Sequence, residues 1–297
     1  MASLKEIKGR ISSIRSIWKI TSAMRLIASA KLHRAQNAVA NTLPYAQRLQ
    51  DMLSALLRSE STVVSPYTQT REDVKRVAIV AFSSNSSLCG AFNMNVVKKL
   101  NTTIKEKYRK LDNSDILLFP VGRRIYDAVV REGYKPRGDF RKMADKPNYA
   151  DAAALARRLM EIFLTHHVDR VVLVYNHFKN MAVQIPTAEV YLPFLPQITE
   201  DMETASMWKI SPEFILEPSR DELIASLLPK VLELKLYATL LDSAAAEHAA
   251  RTIAMQMATE NAEDLLDELT LLYNKSRQQA ITSELLDIIS GTARISC

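Results

Sequence analysis

Stepping alternately by three and four residues from Leu4 lands on Ile7, Ile11, Ile14, Trp18, Thr21, Arg25, Ala28, Leu32, Ala35, Val39, Thr42, Ala46, Leu49, Leu53 and Leu56. All but Thr21, Arg25 and Thr42 are apolar. A 3.5-residue repeat kept for that length specifies a narrow apolar seam against another helix, not the broad stripe of an ordinary surface helix. A helix over 4–57 therefore demands a partner of comparable length. Ser3, followed three residues later by Glu6, suits its N-terminus as a capping box. Pro44 lies within the repeat, so a bend or interruption is expected there, and Ala46, Leu49 and Leu53 predict that the helix resumes.

The partner is at the other end of the chain. Between 219 and 290 there is no Gly and Pro229 is the one Pro, and a less regular seam runs through Leu227, Val231, Leu234, Ala238, Leu241, Ala245, Met255, Ala262, Leu266, Leu269 and Tyr273, with His248, Thr252 and Thr259 on it. Gly291 is a natural C-terminal cap. Charge supports the pairing. Residues 1–57 carry nine Lys/Arg against two Asp/Glu, a net +7, and residues 218–290 carry six against twelve, a net −6. Opposite fields favour two helices lying together. If Leu56 pairs near 223–227 in an antiparallel hairpin, Leu4 pairs near 275–279, leaving Ile281, Leu285, Leu286, Ile288 and Ile289 beyond the paired length.

Between the helices the pattern changes. Residues 59–73 are polar and aperiodic around Pro66 and read as a linker. Val77–Phe82, Ile116–Val121 and 171–175 are short apolar runs without alternation, as expected of strands covered on both faces. Helical patterns at 94–111, 124–131 and 149–166 separate them, so a mainly parallel sheet is expected. A further run, 183–191, contains Pro186 and belongs at a sheet edge.

An α/β domain invites an enzymatic reading. Ser83-Ser84-Asn85-Ser86-Ser87-Leu88-Cys89-Gly90 follows the first strand and opens a helix, the place of a phosphate-binding turn. The glycines of a dinucleotide fingerprint, a Gly-Lys-Ser/Thr phosphate loop and a Gly-x-Ser-x-Gly elbow are all missing. Cys89 at a helix N-terminus could be a nucleophile but has no assignable base, and a buried small residue is the better reading. His166, His167 and His177 make no metal-ligand spacing. No catalytic, cofactor-binding or metal residue is therefore expected. The two cysteines form no framework, no run reaches the roughly 18 apolar residues of a membrane span, and a helix starting by Leu4 is expected to leave no room for a leader.

Two longer signatures lie on the end helices. Lys19-Ile20-Thr21-Ser22-Ala23-Met24-Arg25 with Ala30-Lys31-Leu32-His33-Arg34-Ala35-Gln36, and Ala254-Met255, Ala258-Thr259 and Asn261 with Tyr273-Asn274-Lys275-Ser276-Arg277-Gln278 and Ile281-Thr282-Ser283-Glu284, resemble the gamma-subunit family of bacterial-type F-type ATP synthases. The resemblance runs the full length. It implies an α/β fold in which the N- and C-terminal segments form a long antiparallel two-helix coiled coil around an inserted Rossmann-like domain. The expected division is a helix at 1–58, a linker at 59–73, the α/β domain at 74–200, a connecting segment at 201–217 and the last helix at 218–297.

The same resemblance implies a central rotor shaft, non-catalytic itself, that couples rotation of a membrane ring of c subunits, driven by protons or sodium ions, to ATP synthesis or hydrolysis at beta subunits. Its partners would be three alpha and three beta subunits, an epsilon subunit and the c ring, with no nucleic acid, in a peripheral complex on the cytoplasmic face of the inner membrane. Met24, Arg25, Arg251, Arg277, Gln278 and Thr282 match positions that couple rotation to catalysis, and Phe214, Ile215 and Leu216 match a foot meeting epsilon and the c ring. Ile281, Leu285, Leu286, Ile288 and Ile289 would form an apolar bearing tip. In one departure, Asn85-Ser86-Ser87 stands where the family has an Asp-Arg-Gly-like sequence before Leu-Cys-Gly. On the residues alone, a coiled-coil scaffold, a basic helical binder and an enzyme remain open beside the rotor.

Overall fold

The computed structural model describes residues 4–58, 65–71, 73–195, 217 and 219–295, with the backbone alone at 54, 55, 57, 58, 287 and 290–295. Ser3, Cys297 and the foot residues Phe214, Ile215 and Leu216 lie outside the described residues. The elements are α1 (Leu4–Arg58), β1 (Val77–Phe82), α2 (Phe92–Lys107), β2 (Ile116–Val121), α3 (Arg123–Arg131), α4 (Arg141–Asp145), α5 (Tyr149–Leu164), β3 (Arg170–Phe178), β4 (Gln184–Leu192) and α6 (Arg220–Ile295). The chain packs as two compact units, Met1–Ala28 with Arg251–Cys297, and Ser29–Ala250.

Every position of the α1 seam from Leu4 to Leu56 is buried or half-buried, so the 3.5-residue repeat is the packed face of the helix. The helix is assigned without a break through Pro44, and α6 likewise through Pro229. A proline removes one intrahelical bond, and Leu49, Leu53 and Leu56, all buried in the sheet domain's core, hold the turns that follow Pro44. Gly291 does not end α6, which continues to Ile295. Glycine costs only about 1 kcal/mol in a helix interior and ends a helix only where a left-handed residue closes it.

In the first unit, α6 is buried or half-buried at Thr252, Met255, Thr259, Ala262, Leu266, Leu269, Tyr273, Ser276 and Ala280, a regular alternation of three and four. The hydroxyls of Thr259 and Thr21 meet at 2.9 Å inside this seam. That contact puts Leu4, seventeen residues before Thr21, level with Ser276, within the window expected from helix lengths.

In the second unit the sheet order is β2-β1-β3-β4, with β1 parallel to both β2 and β3 and β4 antiparallel at the edge that Pro186 requires. Alternate residues of each strand enter different cores. Val77, Ile79 and Ala81 face α2 and α3, packing with Val96, Leu100, Ile125 and Val129. Ala78, Val80 and Phe82 face α5 and the long helices, in a core with Leu155, Leu159, Leu53, Leu228, Leu232 and Leu236. Here α6 is buried on more than one side, which explains why its seam looked irregular in sequence. Part of its acidic charge also serves the sheet domain: Glu233 meets Arg157 at 2.8 Å and the Tyr149 hydroxyl at 3.0 Å, and Asp242 accepts from the Phe178 N–H at 3.0 Å.

Asp169 ties the chain entering β1 to the end of the sheet. It accepts from the backbone N–H groups of Lys75 at 2.8 Å and Arg76 at 3.0 Å, and from Arg71 at 3.0 Å. Arg71 also donates to the carbonyls of Val168 and Phe163 and stacks on the Phe163 ring. Burial alone would raise the Asp169 carboxyl, but the Arg76 N–H, the Arg71 guanidinium and the Lys75 N–H outweigh it and hold the group below its ordinary 3.8. A depressed folded value contributes stability above the unfolded value that is lost as pH falls through the folded one. Asp169→Ala should therefore cost about 2–3 kcal/mol at neutral pH, where charge-assisted bonds are broken. Chemical denaturation of the full chain over a pH series should show this difference closing as the wild-type carboxylate protonates in acid.

Candidate functional site: a filled sheet crevice and an exposed helical tip

In a doubly wound sheet, ligands bind beyond the carboxyl ends of adjacent strands whose connections leave in opposite directions. Here that crevice lies between β1 and β3. It is filled by the chain itself: Cys89 and Phe92 are buried against Ala246 of α6, with Phe178 and Ala250 packed alongside, and Asn176 Nδ2 donates to the Phe92 carbonyl at 2.9 Å.

The preceding turn directs its polar groups inward. Ser84 N–H donates to Asn93 Oδ1 at 3.1 Å, its hydroxyl donates to the Ser86 carbonyl at 2.6 Å, and Ser83 Oγ accepts from the Ile125 N–H at 2.9 Å. Asn85 accepts from the Arg123 N–H at 2.8 Å and donates to the Arg141 carbonyl at 2.7 Å. An aspartate could make only the first of these bonds, because an ionised carboxylate has no donor, so the departure at position 85 adds a clasp onto α4. Cys89 is 1 % exposed and accepts from Asn93 Nδ2 at 3.1 Å. His177 lies 2.7 Å from Asp242 and His167 2.9 Å from Thr165. Among the described residues no group of three or more His, Cys, Asp or Glu is placed to hold a metal ion.

The positions suggested by the end signatures all fall in the first unit. Met24 is 40 % exposed, Arg25 and Arg251 are half-buried, and Arg277, Gln278 and Thr282 are exposed. The Thr282 hydroxyl donates to the Gln278 carbonyl one turn back at 2.9 Å, which leaves its oxygen to accept from an outside donor. Past Ala280 every described side chain is exposed, Ile281, Leu285, Leu286, Ile288 and Ile289 among them at 50–64 %.

Sequence reasoning missed a second apolar line. Ile17, Ile20, Met24 and Ile27 are each exposed by 40 % or more and follow a three-four-three spacing one residue out of frame with the seam. Testing a second heptad frame would have found it. On α6, Leu265, Leu271 and Leu272 are also exposed.

Comparison with known proteins addresses the lineage and the fold of the chain. The family model described as ATP synthase matches residues 3–295. The ATP synthase gamma chain of Phocaeicola vulgatus is 54 % identical over 292 residues, covering 98 % of this chain and 99 % of the relative. That of Flavobacterium johnsoniae is 40 % identical over 297 residues and both chains are covered completely. Among solved structures, a chain of the Euglena gracilis mitochondrial ATP synthase OSCP/F1/c-ring assembly superposes with a TM-score of 0.66 at 19 % identity, covering 98 % of this chain and 94 % of that one. A chain of the Tetrahymena thermophila mitochondrial ATP synthase central stalk/c-ring gives 0.55 at 22 % identity, covering 80 % of this chain and 99 % of that one. At these identities the superpositions speak for the fold, whereas the full-length sequence matches assign the lineage: the chain belongs to the ATP synthase gamma-chain family.

Proposed function

We propose that this chain is the central rotor shaft of an F-type ATP synthase, coupling rotation of a membrane c ring to ATP synthesis or hydrolysis at beta subunits, and that it is not itself catalytic. The observation that carries this reading is the end of α6. Leu4, the first described residue of α1, is level with Ser276, and beyond Ala280 the helix continues with exposed Ile281, Leu285, Leu286, Ile288 and Ile289. Apolar surface of that kind marks an interaction site. A sleeve formed by three alpha and three beta subunits would cover it without favouring one angle, since apolar contact is weakly directional. Polar contacts at Arg25, Arg251, Arg277, Gln278 and Thr282, with Met24 beside them, would form at some angles and break at others, because hydrogen bonds need alignment. Phe214, Ile215 and Leu216 would meet epsilon and the c ring. No described helix is long and apolar enough to cross a membrane, so the chain would reach the cytoplasmic face of the inner membrane through that ring.

The filled crevice supports the non-catalytic part of the reading. Purified with its native partners, the complex should hydrolyse ATP, the isolated chain should not, and Cys89→Ser should leave the complex's rate nearly unchanged. Its cost should be one of packing, about 1 kcal/mol or somewhat more, because the thiol is buried. Turnover by the isolated chain, or loss of activity in an intact Cys89→Ser complex, would refute it.

A further inference from the structure

Where α6 packs beside the carboxyl ends of β1 and β2, a cavity of about 10 Å³ remains in the interior of the sheet domain. Its polar lining is Ser83 at the end of β1 with Ser243 and Glu247, which lie one turn apart on the same face of α6. Ser83 and Ser243 are each only 5 % exposed. Other hydroxyls of α6 turn back onto their own helix. Thr239 donates to the Lys235 carbonyl at 3.0 Å, Thr259 to that of Met255 at 2.8 Å and Thr270 to that of Leu266 at 2.7 Å. The Ser243 hydroxyl makes no such bond among the described residues and opens onto the cavity. The apolar part of the lining, with Phe82, Val121 and Leu240, offers it no partner. A buried hydroxyl that gives up water without replacement forfeits about what a lost hydrogen bond is worth. The neighbouring groups can supply one only at second hand. Ser83 Oγ accepts from the Ile125 N–H at 2.9 Å and keeps a second lone pair, and a carboxylate such as Glu247 has about four lone-pair sites, so it can accept here as well as elsewhere.

An internal water needs about 10–15 Å³ and two to four polar partners, and this cavity meets both conditions. We propose that it is a binding site for one ordered water, which accepts from the Ser243 hydroxyl and donates to Ser83 Oγ and to the Glu247 carboxyl group. Such a bridge is nearly as favourable in enthalpy as a direct hydrogen bond. It joins α6 to the end of the sheet by a polar contact where apolar packing alone would leave the Ser243 hydroxyl unpaired. In other doubly wound sheets the space beyond the strand ends receives a ligand. In this chain Cys89 and Phe92 fill the crevice between β1 and β3, and water takes the remaining space beside it. The site lies wholly within the sheet domain and is independent of whether the chain turns.

A high-resolution crystal structure of the full chain is the first test. It should show one ordered water about 2.6–3.2 Å from Ser243 Oγ and at a similar distance from Ser83 Oγ or a Glu247 carboxyl oxygen. Oxygen-17 magnetic relaxation dispersion of the full chain in solution is the second, because it counts long-lived internal waters. Ser243→Val removes the hydroxyl and puts a methyl group into the site, so the count should fall by one. Ser226→Val, at an exposed position on the same helix, should leave the count unchanged. The crystal structure of the unaltered chain decides the matter alone if Ser243→Val does not fold. A site without a water peak, or a peak held by several oxygens at about 2.3–2.6 Å as a bound cation would be, would overturn the proposal. So would an internal-water count that Ser243→Val does not lower.

Discussion

Gly122→Ala is expected to prevent the chain from folding to a soluble product. Gly122 follows β2 with φ +105°, a conformation that L side chains rarely adopt. A Cβ there would lie 2.8 Å from both the carbonyl carbon and the Oγ of Ser83, and closer still to the Ser83 carbonyl oxygen. The obstacle is mainly backbone, and that backbone is pinned, because the Ser83 N–H donates to the Val121 carbonyl at 2.8 Å. Relief would require opening the end of the β1–β2 pair. Backbone strain of about 1–3 kcal/mol adds to the clash, for a total of at least about 4–5 kcal/mol. Net stability is typically only about 5–15 kcal/mol. Gly133→Ala is the control: its φ of +85° is also strained, but nothing lies within 4 Å of the added Cβ, so a loss of about 1–2 kcal/mol is expected. Soluble yield and denaturation midpoints of the two variants should separate the steric effect from the conformational one.

Truncation after Ser283 is expected to leave the isolated chain's stability nearly untouched and to impair the assembled complex severely. The exposures of Leu285, Leu286, Ile288 and Ile289, 54–64 %, mean that little of the chain's own folding energy resides there. Covering such a side chain completely is worth about 1.5–3 kcal/mol, so roughly half that each remains to be gained in a sleeve. Even after the costs of ordering, a loss of at least about tenfold in assembly affinity or coupled turnover is expected. Gln278→Ala and Thr282→Ala should act differently, lowering the ions moved per ATP while leaving the complex assembled. Equal assembly and coupling in the truncated and full-length complexes would remove the bearing.

These two expectations rest on features of unequal legibility in the sequence. The α1 seam was fully legible because a single face of that long helix is buried along its length, whatever packs against it. The buried strands were legible because both faces are covered, and Pro186 marked the edge. On α6 the seam blurred between 224 and 250, where the helix also packs on the sheet and Leu228, Leu232 and Leu236 leave the 3.5-residue frame. Gly291 misled because glycine permits a helix end without forcing one. The turn at 83–90 was located correctly, but its role as an internal clasp was hidden, since Asn85 bonds to partners 38 and 56 residues away. The Arg71–Asp169 knot was invisible for the same reason: its ends are 98 residues apart. Among the candidate contact residues, Met24 and the α6 tip stood out in the sequence and are exposed, while the neighbouring exposed line of Ile17, Ile20 and Ile27 was overlooked beside a stronger seam in the next frame.

The central claim is that this chain turns inside its partners, and watching it turn is the most direct test. The complex would be fixed to a surface through its beta subunits, with an optical probe attached to this chain near the foot region. On adding ATP, the probe should rotate in one direction with a pattern that repeats three times per revolution, and should stop when hydrolysis is inhibited. Steady ATP hydrolysis by a complex in which the attached probe stays fixed or only jitters would contradict the account.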